Sequence, residues 1–187
     1  MFTSLPNLLT LSRIVAIPLL VGTFYLDGPL WRWVACALFV AAAITDYFDG
    51  YFARRDNIVS SFGRFLDPIA DKLLVSAVLL MLTAFDRLDK WSVLPALVIL
   101  LREILVSGLR EYLAELKVGV PVSRLAKWKT GIQMTALPVL LVGDAAPSWI
   151  PALPIGVLCL WVAAVLTLIT GWDYLQSGLK HMSGAAK

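Results

Sequence analysis

Two pairs of aspartates carry most of the chemistry this sequence can offer. Asp46 and Asp49 stand three apart in TDYFDGYFAR, and Asp67 and Asp71 stand four apart in GRFLDPIADK. At those spacings each pair lies on one face of a helix. Four carboxylates held together beside apolar helices repel one another and call for counter-charge, which divalent cations supply most economically. An oxygen-only set suits a hard ion, Mg²⁺ or Mn²⁺, and the absence of nearby His or Cys argues against zinc. His181, the sole histidine, lies in the C-terminal tail. The competing reading pairs these carboxylates with Arg54, Arg55, Arg64 and Lys72 in a loop. Two helix-spaced pairs, with Gly50 opening room, Ala53 one turn beyond Asp49 and Arg54 one turn beyond Gly50, favour the metal site. Gly63, after Asn57 and two serines, reads by itself as a turn glycine.

The elements that must position these residues are membrane helices. Of 187 residues, 59% are hydrophobic and 16% charged, against about 45–50% and about 25% in soluble domains. Apolar stretches at about 7–26, 31–51, 69–85, 91–113, 125–142 and 149–175 predict six transmembrane helices in a single all-α domain spanning 1–187, with no residues left over for a soluble domain. Pro68, directly after Asp67, is expected at the first position of the third helix. Arg13 lies inside the first stretch with no Lys or Arg before it, so that stretch reads as a retained helix rather than a signal peptide. Cys36 and Cys159 sit in apolar runs and read as small core residues.

Six spans alternate in direction and so sort the charges. Arg32, Arg87 and Lys90 fall on one side, and the other 13 of 16 basic residues fall on the side of the aspartates. The positive-inside rule then places both termini and the acidic cluster in the cytoplasm, and the expected location is a bacterial inner membrane. Trp31, Trp33, Trp91 and Trp149 gather at the opposite ends as an interfacial belt. The net charge of +3 is too small a surplus to indicate nucleic acid as a partner.

From Asp46 to Asp71 the residues fit Asp-x2-Asp-Gly-x2-Ala-Arg-x8-Gly-x3-Asp-x3-Asp, eight fixed identities across 26 positions. This pattern resembles the signature of the CDP-alcohol phosphatidyltransferase family, whose six-span fold corresponds to almost the whole chain. The resemblance implies that Asp46, Asp49, Asp67 and Asp71 hold two metal ions and that Asp71 is also the general base. It implies that Gly50, Ala53, Arg54 and Gly63 belong to the site for the CDP moiety of CDP-diacylglycerol, and that the enzyme is a homodimer. The chemistry agrees: displacing CMP from a pyrophosphate needs charge neutralised on the bridging phosphates and a carboxylate to take the attacking hydroxyl's proton. Arg54 offers phosphate oxygens a fixed fork of donors.

The family motif does not choose the acceptor alcohol. Asn7, Thr10 and Arg13, three apart, form a polar stripe at the start of the first helix. This is either a helix start with a snorkelling arginine or, by resemblance to family members that make phosphatidylglycerophosphate, part of the nucleotide site. The stretch from Leu101-Arg102-Glu103-Ile104 through Ser107-Gly108-Leu109-Arg110-Glu111-Tyr112 to Lys127-Trp128-Lys129-Thr130 and Gln133-Met134 resembles the same members, which implies sn-glycerol 3-phosphate as acceptor. Arg102 lies about 12 Å along its helix from Arg110 at 1.5 Å per residue, so it sits deeper in the span, with Glu103 or a site carboxylate as partner. Arg110, Lys127 and Lys129 are expected to form a basic rim that a phosphorylated acceptor needs. Phosphatidylglycerol and inositol phosphate remain alternative acceptors. A cation channel or transporter is the rival of another class, and it expects acidic residues at mid-membrane rather than clustered at one end.

Overall fold

The computed structural model describes residues 5–55, 61–115 and 123–184. The described residues fold into six α-helices and one short 3₁₀ turn. The helices are α1 (Leu5–Thr23), α2 (Pro29–Arg55), α3 (Ser61–Ala84), α4 (Val93–Glu115), α5 (Arg124–Val142) and α6 (Ala152–Gly184), and the turn is Gly143–Ala145.

Helix boundaries follow local chemistry. Pro29 opens α2, where a missing N–H costs nothing. Ser123 caps α5, its hydroxyl accepting from the Ala126 N–H. At the end of α3, Asp86 takes a positive φ of 53°, and the Arg87 N–H reaches back to the Leu82 carbonyl at 2.9 Å, closing the helix in the manner usually left to glycine. Pro18 and Pro138 sit inside helices. Pro68 does too, and here the structure corrects the expectation: α3 begins at Ser61, seven residues before the proline. The helix passes through Pro68, whose carbonyl accepts from Lys72 Nζ at 3.0 Å.

In chain-independent order the helices form a ring: α1 packs on α2, α2 on α5, α5 on α6, α6 on α4, α4 on α3 and α3 back on α1. The α3–α4 seam is the thinnest in the ring. Leu20, Phe39, Leu74, Val78, Leu82, Ile99, Leu137, Leu140, Leu160 and Ala163 fill the interior. Gly156 lets α6 approach α5, since a Cβ there would lie 2.7 Å from the Leu140 side chain. Gly156 and Ala163 therefore serve the chain's own bundle.

The outer surface is apolar where a soluble protein's would be polar. Val15, Leu19, Leu80, Leu97, Leu101, Ile104, Leu158, Val165 and Leu168 are all exposed. Within the described residues, Pro29–Asp46 and Ala152–Gln176 are long and apolar enough to cross a membrane, and Leu8–Thr23 is a shorter apolar stretch. At the loop end opposite the aspartates, Trp33, Trp91 and Trp149 are exposed, and the Trp33 indole N–H donates to the Ala145 carbonyl.

Candidate active site

The first wall of the site comes from α1, α2 and α3. Thr10 and Arg13 share a face of α1 and are both 1% exposed, so Arg13 is buried rather than snorkelling. Its Nη1 meets Asp46 Oδ1 at 2.5 Å and its Nη2 lies 3.6 Å from Asp67 Oδ1. Thr10 Oγ1 donates to the same Asp67 oxygen at 2.5 Å. One guanidinium thus ties α1 to the carboxylates of α2 and α3. Asp71, one turn beyond Asp67 on α3, faces the same cavity as Asp46 and Asp67. Gly63 is buried in the first turn of α3. The side chains of Asn7, Asp49, Gly50, Ala53 and Arg54 lie outside the described residues.

The opposite wall is built by α4, α5 and α6. Lys129, 3% exposed, is ion-paired with Glu103. Arg102 Nη1 lies 3.7 Å from the same Glu103 oxygen, and Arg102 Nη2 donates to Thr170 Oγ1 at 3.0 Å. The Arg102 stem lies across Gly171, where a Cβ would come within 3.1 Å of it, and its guanidinium is 5.9 Å from the centre of the Tyr174 ring. Arg110 is exposed and lines the cavity. Lys127 does not reach it: two positions from Lys129, it faces another way and lines an outer groove with Trp128, Gly131, Ile132, Thr135 and Cys159. Helical geometry carries that signal, because residues two apart do not share a face.

Between the walls lies a cavity of about 700 Å³, lined by residues of α2, α3, α4, α5 and α6. Carboxylates (Asp46, Asp67, Asp71) and cations (Arg102, Arg110, Lys129) both face it. Within the described residues no three acidic side chains converge closely enough to hold an ion. A second opening, lined by Lys72, Arg102, Glu103, Arg110 and Glu111, follows the α3–α4 seam. Sequence reasoning did not single out Thr170, Tyr174 or Glu103 as a shared partner of two cations. The i, i+4 spacing of Thr170 and Tyr174 was the available signal for the α6 pair.

This arrangement can neutralise a phosphorylated substrate from one side and take a proton on the other. The family model described as CDP-alcohol phosphatidyltransferase matches residues 3–169. The chain belongs to the CDP-alcohol phosphatidyltransferase family. It is similar to the CDP-diacylglycerol–glycerol-3-phosphate 3-phosphatidyltransferase of Rickettsia bellii, 52% identical over 178 residues, covering 95% of this chain and 97% of the relative. The protein of the same name from Rickettsia felis is 51% identical over 95% of this chain and 97% of its own. In fold it resembles the phosphatidylinositol phosphate synthase of Mycobacterium tuberculosis, crystallised with manganese and citrate, at a TM-score of 0.68 and 18% identity over 94% of this chain and 82% of that one.

Proposed function

We propose that this chain transfers the phosphatidyl group from CDP-diacylglycerol to sn-glycerol 3-phosphate, giving phosphatidylglycerophosphate and CMP. The observation that carries the reading is the shared cavity, with aspartates on one wall and Arg102, Arg110 and Lys129 on the other. A phosphorylated acceptor needs those cations, whereas a neutral alcohol does not. The relatives named for this reaction, alike over nearly the whole chain, support the same acceptor.

The acceptor hydroxyl attacks the β-phosphorus of CDP-diacylglycerol. A new oxygen–phosphorus bond forms, the bond to the CMP oxygen breaks, and CMP departs with the electron pair. Asp71 takes the hydroxyl proton as general base. Arg13 fixes Asp46 and Asp67 in place, and Arg102, Arg110 and Lys129 orient the acceptor phosphate. Asn7, Thr10, Gly50, Ala53, Arg54 and Gly63 belong to the CDP-diacylglycerol side. Asp46, Asp49, Asp67 and Asp71 are the residues that would hold a pair of Mg²⁺ or Mn²⁺ ions, hard cations suited to carboxylate oxygens, with Arg13 already beside Asp46 and Asp67. Such ions, when bound, supply positive charge to the pyrophosphate.

All six helices are taken to span the bilayer, with the cavity at the cytoplasmic face of the inner membrane. The apolar outer surface, the far-end tryptophans and the 13 basic residues that alternation of the spans assigns to the side of the aspartates support this. The lipid then enters from the bilayer and the acceptor from water. A homodimer is the expected assembly, read by crosslinking in membranes.

The test is CMP release by the purified protein with CDP-diacylglycerol, Mg²⁺ or Mn²⁺, and separately glycerol 3-phosphate, inositol phosphate or phosphatidylglycerol. Release with glycerol 3-phosphate alone is expected. Release with another acceptor instead overturns the acceptor assignment, and no metal-dependent release with any of them overturns the enzyme reading. Asp71→Asn is expected to lower turnover by about 10²–10⁴-fold without loss of fold; full activity removes Asp71 as the base.

A further inference from the structure

Gln133 lies one helical turn beyond Lys129 on α5, about 6 Å along the axis, and lines the same cavity as Asp71, Arg102, Glu103 and Lys129. It is 3% exposed, and its Oε1 is buried with no hydrogen-bond partner. A buried amide oxygen without a donor is costly and uncommon in native folds. Its neighbours do not supply one: the nearby Lys129 ammonium is engaged by Glu103, and Arg102 directs its Nη atoms to Thr170 and Glu103 while its buried Nε makes no hydrogen bond, to Gln133 or to any other group. The group is neutral, so it suits a neutral donor rather than a phosphate.

We propose that Gln133 reads the non-reacting hydroxyl of the acceptor, accepting a hydrogen bond from it at Oε1. The inference rests on the glycerol 3-phosphate reading above. In a three-carbon acceptor the middle hydroxyl lies between the reacting hydroxyl, which must approach Asp71, and the phosphate, which must approach the cations. Among the described residues lining the cavity, Gln133 is the uncharged side chain with a buried, unmet acceptor. A hydroxyl both donates and accepts, so binding the correct acceptor satisfies Oε1. An acceptor lacking that hydroxyl leaves it unmet, and discrimination of this kind is how buried polar groups select substrates.

The experiment compares glycerol 3-phosphate with 3-hydroxypropyl phosphate, the same molecule without the middle hydroxyl, in the full-length protein and in Gln133→Leu. The wild type is expected to favour glycerol 3-phosphate by about tenfold in kcat/KM. Gln133→Leu should bring the two acceptors to within about twofold, by losing rate with glycerol 3-phosphate while keeping it with the deoxy acceptor. A residue that merely supports the bundle would lower both equally, and that result overturns the proposal. Gln133→Met, closer in shape, is read by the same ratio should the leucine variant not fold. A wild-type ratio near one overturns the proposal before any variant is made, and is the result expected where an ordered water serves Oε1. Absence of CMP release with both phosphorylated acceptors, but release with phosphatidylglycerol, overturns the parent reading and this assignment together. Equal release with both overturns this assignment alone.

Discussion

Arg13 sits between Asp46 and Asp67, 2.5 Å from the first and 3.6 Å from the second, and is almost wholly buried while the two carboxylates are about half exposed. A cation from α1 therefore holds together the ends of α2 and α3 that carry the acidic motif. Replacing it with methionine keeps much of the volume but leaves two neighbouring carboxylates uncompensated. Arg13→Met should lower stability by about 1–2 kcal/mol, less than the loss of a fully buried pair because water reaches both aspartates. Thermal unfolding in detergent measures this, and added Mn²⁺ should raise the midpoint of the variant more than that of the wild type. An unchanged midpoint and unchanged turnover would remove Arg13 from both roles.

Glu103 holds Lys129 and lies beside Arg102, so removing the carboxylate leaves two cations facing each other. Glu103→Gln and Lys129→Met should each destabilise the protein, while the double variant should cost about 1–3 kcal/mol less than their sum. Both single variants should raise the KM for the acceptor. Strict additivity in chemical denaturation would show that the pair does not act as a unit.

Gly156 faces Leu140 with no room for a side chain. Gly156→Val should destabilise the α5–α6 contact by about 1–3 kcal/mol, and Leu140→Ala in the same chain should recover part of that loss. A Gly156→Val protein with wild-type unfolding behaviour would contradict the close approach of these helices.

The loop before α4 contains a pH-sensitive turn. The Ser92 hydroxyl donates to the Asp89 carboxylate and is the main cause holding that carboxyl below its ordinary value, with backbone N–H groups assisting. A depressed carboxyl contributes stability above the unfolded pKa of about 3.9, and that contribution fades as pH falls through the folded value. Ser92→Ala should thus lower the unfolding midpoint near neutrality, with the gap narrowing below about pH 4. A gap that stays constant from pH 7 to pH 3 would assign the serine's effect to packing alone.

Much of this arrangement was legible because helices alternate and the motif is long. The apolar stretches located all six helices, and alternation put Thr10, Asp46, Asp71, Arg110 and Lys129 at one end. Hydropathy saw the apolar middles but not the polar ends: α2 runs to Arg55 and α6 to Gly184, past the apolar windows. Pro68 was misleading because a proline eight residues into a helix removes one backbone hydrogen bond without ending it. Arg13 could be read as snorkelling because its partners are 33 and 54 residues away, and no local pattern announces such a pairing. For the same reason Glu103 is legible as a partner for its neighbour Arg102 but not for Lys129, which is on the next helix. Lys127 was placed beside Lys129 by charge, where helical spacing would have separated them.

Every described residue that lines the main cavity belongs to a helix, so the site's geometry is set by winding rather than by loop shape. One residue inserted between Arg102 and Arg110 would turn the second about 100° relative to the first and shift it 1.5 Å along the axis, taking it off the cavity wall. Lengthening the turn around residues 86–90, at the far end, changes no such angle. The same polypeptide is thus intolerant of insertions at one end and permissive at the other, which makes the 86–90 turn the place for an epitope or a fusion partner.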